Sequence, residues 1–148
     1  MSVIVYDDEY FMRQALNEAA QALEEDEIPI GCVIVCNNKI IARGHNMTQR
    51  LNDSTSHAEI IAITAAEEYL GSKYLTDCTL YVTIEPCLMC AGAVMWTQIS
   101  RVVFGAKDTK RGYSSYCTPF NSKVTVTHGV LEEECRDLMQ NFFKNKRK

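Results

Sequence analysis

The sequence predicts an α/β fold: one central mixed β-sheet of about five strands, with helices on both faces. Three observations predict it. Apolar residues recur at helical spacing near both ends of the chain, and short runs rich in Val, Ile and Thr lie between them. After a first hairpin, helices and strands alternate.

Phe11, Ala15, Ala19, Ala20 and Leu23 mark one helical face, with Asp7 or Asp8 placed to cap it, so a helix is expected over residues 8–24. "IGCVIVCNNKIIARGHN" divides at Asn37-Asn38 into two strands joined by a tight turn. A polar loop, "MTQRLNDSTS", leads to "HAEIIAITAAEEYL", a helical pattern that stops at Gly71. "TLYVTI", residues 79–84, is a compact apolar strand. Pro86 precedes the helix "CLMCAGAVMWT", where a missing N–H costs little. "RVVFGA" and "KVTVTH" are the fourth and fifth strands, separated by a loop rich in Ser, Tyr and Gly. "LEEECRDLMQNFFKN" closes the pattern as an amphipathic helix, acids early and bases late to match its dipole.

The 148 residues read as a single domain, 1–148, without repeats, low-complexity tracts or linkers. The composition, 47% hydrophobic and 23% charged, is that of a globular protein. No apolar run approaches the roughly 18–20 residues of a membrane span. "MSVIVYDDEYFMRQ" lacks the basic start and apolar stretch of a signal peptide, so a cytoplasmic location and no membrane partner are expected. Seven cysteines, an odd number, fit free or metal-bound thiols better than a disulfide framework. A net charge of −4 and a pI near 5.4 argue against wholesale nucleic-acid coating and leave room for a local basic patch.

"TIEPCLMC" sets Cys87 and Cys90 about one helical turn apart. Such a pair is a redox couple, half of a metal site, or two buried thiols. Of three histidines, His45, His57 and His128, His57 opens a helix, as Cys87 does. The partial positive charge at a helix N-terminus favours thiolate. His57, Cys87 and Cys90 give zinc three ligands, one fewer than a closed structural site, so a water position stays open. Glu59 stands two residues beyond His57, able to move protons near the metal without binding it. Against this, Ser56-His57-Ala58-Glu59 also fits a capping box, in which Glu59 merely bonds the backbone of Ser56. H-x-E and P-C-x-x-C each opening a helix, separated by one strand, favour the zinc reading.

Other residues read more plainly. Cys32 and Cys36 share a strand face as small inward hydrophobes, and Cys78, Cys117 and Cys135 lack ligand-like companions. His45 suits a strand-end polar role or a substrate contact, and His128 a structural one. Tyr113 and Tyr116, near Lys110 and Arg111, suit either base stacking with phosphate pairing or plain packing. Val94, Met95 and Trp96 imply apolar surface to be covered.

"HAE" at 57–59 with "PCLMC" at 86–90 resembles the zinc-dependent cytidine and nucleobase deaminase superfamily. "IPIGCVIV", "DSTSHAEIIAI", "LYVTIEPCLMCAGAV", "RVVFGAKD" and the closing "GVLEEECRDLMQNFFKNKRK" resemble the bacterial tRNA-specific adenosine deaminase family over nearly the whole chain. The resemblance implies a cytidine deaminase-like fold, with Zn2+ held by His57, Cys87 and Cys90. It implies that Glu59 moves protons as water attacks C6 of adenine and ammonia leaves, giving inosine at the wobble position, 34, of tRNA. By the same resemblance Asn46 contacts the substrate nucleotide, Ile30 and the backbone of Ala58 line the base pocket, and Asp108 lies near the flipped nucleotide. The implied partners are a tRNA anticodon stem-loop, near the C-terminal helix and its "KNKRK" tail, and a second copy that completes the substrate site of a homodimer.

One segment departs from that family. Its members carry a glycine-rich G-x-x-G-S-L stretch after "FGA+D" and a longer loop ending in Asn-His. Here "TKRGYSSYCTPFNSKV" is shorter, and Asn121 is followed by Ser122. The departure leaves open, as the alternative, a deaminase of a free base or nucleoside such as guanine or cytosine. A zinc-stabilised binding module without catalysis is a third reading, opposed by the presence of Glu59 and by a set of only three ligands.

Overall fold

The computed structural model describes residues 4–117, 119–120 and 123–146, so Asn121, Ser122, Arg147 and Lys148, all singled out above, lie outside the described residues. Five strands, β1 (Gly31–Cys36), β2 (Lys39–His45), β3 (Cys78–Ile84), β4 (Arg101–Ala106) and β5 (Thr125–His128), form one sheet in the order β2-β1-β3-β4-β5. β1 runs antiparallel to both β2 and β3, whereas β3, β4 and β5 are parallel. The helices are α1 (Asp8–Glu24), α2 (Ala58–Leu70), α3 (Leu88–Thr97) and α4 (Glu132–Lys146). The mixed sheet expected from the sequence is the one observed.

Local chemistry sets the boundaries. Asp7 caps α1, its carboxylate accepting from the Tyr10 N–H at 2.9 Å. Asn37 and Asn38 both take positive φ, 53° and 60°, as a tight hairpin turn requires. Gly71, at φ 61°, ends α2 in the left-handed region. β5 is shorter than "KVTVTH" suggests: pairing with β4 begins only at Arg101 opposite Thr125. A single 3-10 turn, Tyr113–Ser115, breaks the loop after β4. It is too short to leave a periodic trace in the sequence.

Alternation along the strands builds two cores. Cys32, Ile34, Leu80, Val82, Val102 and Phe104 face α2 and α3, packing with Ala62, Ala66, Ala91 and Val94. Val33, Val35, Tyr81 and Val103 face the other way, onto Phe11, Met12 and Ala15 of α1 and Cys135 of α4. Side chains one residue apart on a strand point to opposite faces, so both faces are apolar and both are covered by helices. Asp8 adds a forked pair with Arg101, at 2.9 and 2.7 Å, which joins the start of α1 to the start of β4.

Two glycines let helices lie directly on the sheet. A Cβ at Gly31 would meet backbone of Ala15 and Ala19 in α1, and one at Gly44 would meet backbone of Ala58 and Ala62 in α2. Because α2 begins just after His57, the contact at Gly44 fixes the height of that histidine above the sheet. Gly44→Ala should therefore destabilise the fold by about 1–3 kcal/mol, the usual range for overpacking. Denaturant unfolding measures that loss, and metal analysis should show lower zinc retention in the same variant.

Candidate metal centre

One rim of the sheet gathers every residue singled out for chemistry. Gly31 at the start of β1 pairs with His45 at the end of β2, and Ile84 at the end of β3 pairs with Ala106 at the end of β4. Asn46 follows β2, and its N–H donates to the Ile30 carbonyl at 3.1 Å, so these two expected pocket residues are bonded to each other. Asp108 follows β4. Ala58, fully buried, opens α2 at the same rim.

His57 and Cys87 are the N-cap residues of α2 and α3, both in extended backbone and neither with a side-chain cap bond. Their side chains are free to point away from the helix, at each other. The His57 Nδ1 lies 3.5 Å from the Cys87 Sγ and 3.6 Å from the Cys90 Sγ. A tetrahedral zinc with bonds of about 2.3 Å to sulfur and about 2.0–2.1 Å to nitrogen needs S···N separations of about 3.6 Å. The donor atoms of all three residues lie within 4.8 Å of one another, and among the described residues no fourth His, Cys, Asp or Glu joins the group. Donor chemistry and spacing therefore fit zinc with one position left open.

The capping-box alternative does not form. The Ser56 hydroxyl donates to Asp53 at 2.8 Å, and the Ser56 N–H donates to the Asp53 carbonyl. Glu59, only 4% exposed, instead lies beside the cluster, with His57, Cys87 and Cys90 all acting on its carboxyl. Burial pushes its carboxyl up to about 7, with the neighbouring Cys87 adding to the rise. The two sulfurs are split. The neighbouring Cys90 holds the Cys87 pKa down at about 4 against burial, with His57 helping. Cys90 is raised, first by the Cys87 sulfur beside it and then by burial. His57 is raised, chiefly by its bond to Cys87.

Around the centre, Asp108 is a loop-forming acid: its carboxylate accepts the N–H groups of Lys110 and Arg111 at 3.1 and 3.0 Å. Tyr113 is buried and packs against Phe104 and Phe120, while Tyr116 is 63% exposed. His45 sits between Glu25 and Glu18, at 3.1 and 3.6 Å, in the strand-end polar role. His128 stacks on Phe104. Two buried carboxylates escaped the sequence reading. Glu27 accepts the N–H groups of Gln49 and Arg50 at 3.0 and 2.7 Å. Glu85 accepts from Asp108 and Ser114. Their one legible signal is an acid set beside apolar residues, as in "EIPI" and "TIEPC".

Comparisons with known proteins agree with this chemistry. The family model described as the cytidine and deoxycytidylate deaminase zinc-binding region matches residues 5–106. A tRNA-specific adenosine deaminase of Bacillus subtilis (strain 168) is 46% identical, covering 95% of this chain and 91% of its own. A solved structure from work on tRNA:A34 deaminases and A-to-I editing at the wobble position is 41% identical, with a TM-score of 0.81, covering 87% of this chain and 98% of its own. A guanine deaminase structure from Bacillus subtilis is 38% identical, with a TM-score of 0.67, covering 74% of this chain and 69% of its own.

The split thiols predict the proton balance of metal binding. Cys87 is already ionised at neutral pH, whereas Cys90 keeps a proton that a metal must displace. Zinc binding to metal-free protein at pH 7 should release about one proton, and affinity should rise with pH. Calorimetry in buffers of different ionisation enthalpy counts it. Release of none would contradict this ligand set.

Proposed function

We propose that this chain, which belongs to the cytidine and deoxycytidylate deaminase zinc-binding family, deaminates adenosine to inosine at the wobble position, 34, of tRNA in the cytoplasm. The observation that carries the chemistry is the buried Glu59 carboxyl beside a His57-Cys87-Cys90 cluster with three donors and, among the described residues, no fourth. Support for the substrate comes from the tRNA-specific relative at 46% identity over 95% of the chain. The guanine deaminase likeness is lower and covers less of the chain, so the free-base reading is the weaker one.

His57, Cys87 and Cys90 would hold zinc, which would supply Lewis acidity for activating a water near neutral pH. Glu59 would accept a proton from the attacking water and deliver it to ring nitrogen N1 as the C6–O bond of adenine forms. It then assists proton transfer to the departing amine, so that adenosine and water become inosine and ammonia. Burial raises the Glu59 carboxyl, which favours its taking up a proton during the reaction. Burial keeps bulk water from competing for the proton. Asn46, Ile30 and Ala58, gathered beside the cluster, hold the base, with Asp108 close to the nucleotide.

A groove of about 580 Å3 lies between the loop after β4 and α4, lined by Lys110, Met139, Gln140, Phe143 and Lys144. With two ammonium groups and an exposed phenyl ring, it suits the phosphates and bases of a stem-loop better than a small base. α3 leaves Leu88, Met89, Met95 and Trp96 exposed, Trp96 by 77%. We assign this stripe to a second copy, making the active form a homodimer.

An anticodon stem-loop with adenosine at position 34 should gain inosine when incubated with zinc-loaded protein, and no gain would refute the tRNA reading. Glu59→Gln should keep its zinc yet lose about 10²–10⁴-fold in turnover. Trp96→Glu should weaken self-association by about 2 kcal/mol or more, as loss of an interface anchor does. Sedimentation velocity over a concentration series measures the latter, and an unchanged dimer would remove α3 from the interface.

A further inference from the structure

We propose that Glu85 is a positioning residue for the substrate, a buried clamp that holds residues 108–114 as a wall of the pocket beside the metal ligands. Glu85 lies between the end of β3 and Cys87 and is 4% exposed. Its Oε1 accepts the Asp108 N–H at 3.2 Å, and its Oε2 accepts both the N–H and the hydroxyl of Ser114, at 2.9 and 2.7 Å. All three donors come from the loop after β4, and no basic side chain is among them. A buried carboxylate needs such donors, because leaving it without them costs far more than exposing it. The loop is thus bound to one arrangement.

Other contacts bring that arrangement to the metal site. Cys87 forms an isolated bridge with Gly112, and the Tyr113 N–H donates to the Pro86 carbonyl at 2.9 Å. Gly112 has no room for a side chain, since a Cβ there would run into the Glu85 carboxylate and the Asp108 carbonyl. The loop therefore sits on Glu85 with no clearance. Asp108, gripped at its own N–H, uses its carboxylate to turn the chain, and Lys110 and Arg111 emerge exposed from that turn. One carboxylate thereby sets where an acid and two cations meet the substrate, without touching the reacting atoms itself.

The steady-state test rests on the tRNA reading for its substrate; a second measurement does not. In Glu85→Gln the shape is kept, but the amide must turn its own N–H groups toward either Asp108 or Ser114, donor against donor. KM for the adenosine-34 stem-loop should rise about tenfold or more, the scale of losing one hydrogen bond to a buried charge. At saturation kcat should stay within about threefold, the pattern of lost positioning rather than lost chemistry. Zinc content should not change. Ser114→Ala, which removes one donor of three, should raise KM by about threefold or less. Independently of any substrate, amide hydrogen exchange at Asp108 and Ser114 should quicken about tenfold in Glu85→Gln while the sheet amides hold. Unchanged KM, a fall in kcat larger than the rise in KM, loss of zinc, or unchanged exchange would each overturn the proposal. Should the unaltered protein make no inosine, the tRNA reading fails, and amide exchange alone decides whether the clamp exists.

Discussion

Two helix N-termini have to meet with one imidazole nitrogen 3.5–3.6 Å from two sulfurs, and much of the architecture serves that requirement. The antiparallel pairing of β1 with β3 brings the entry of β1 to the exit of β3, while the parallel pairing of β3 with β4 puts their exits side by side. α2 and α3 lie on the same face of the sheet and share one core. With Gly44 allowing α2 to rest on strand backbone, the ends of α2 and α3 have little freedom to separate. A looser packing would leave the same three residues present and unable to share an ion.

Most of the fold was legible because its signals are local. Asn37-Asn38 turns, Gly71 stops a helix, and alternation in β1, β3 and β4 declares two covered faces, each through chemistry carried by the residues themselves. The metal group was legible for a related reason: His57, Cys87 and Cys90 each stand at or near a helix start, so their convergence follows once two helices share a face. What the sequence concealed was competition between equally reasonable partners. Ser56 could cap α2 or bond Asp53, and only the folded loop decides for Asp53. Tyr113 and Tyr116 look alike in sequence, yet one is buried and the other exposed. Glu27 and Glu85 left little trace because most of their partners are backbone N–H groups, which every residue but proline possesses.

Charge is distributed in keeping with the same division. The chain is acidic overall, at −4, and several acids near the N-terminus are spent on internal pairs: Asp8 with Arg101, Glu18 with Arg43, Glu25 with Arg50 and His45. Lys110, Arg111 and Lys144 remain around the loop after β4 and the end of α4. A polyanion approaching this molecule meets a net negative charge on average and local attraction around these cations. Low ionic strength should sharpen that contrast, since surface fields are screened beyond about 10 Å at 0.1 M salt.

Glu85 grips main-chain atoms at two of its three contacts, and that makes the wall beside the zinc ligands tolerant of change in a particular way. Side chains at Thr109, Lys110 and Arg111 can be exchanged while the chain beneath them stays seated, whereas the Ser115 hydroxyl donates to the Thr109 carbonyl at 3.0 Å. Evolutionary drift in these positions would alter which bases or flanking groups are welcomed, leaving the hydrolytic machinery undisturbed. Laboratory selection aimed at new substrates has the same foothold: randomise the outward positions, and spare the anchor and the glycine pressed against it.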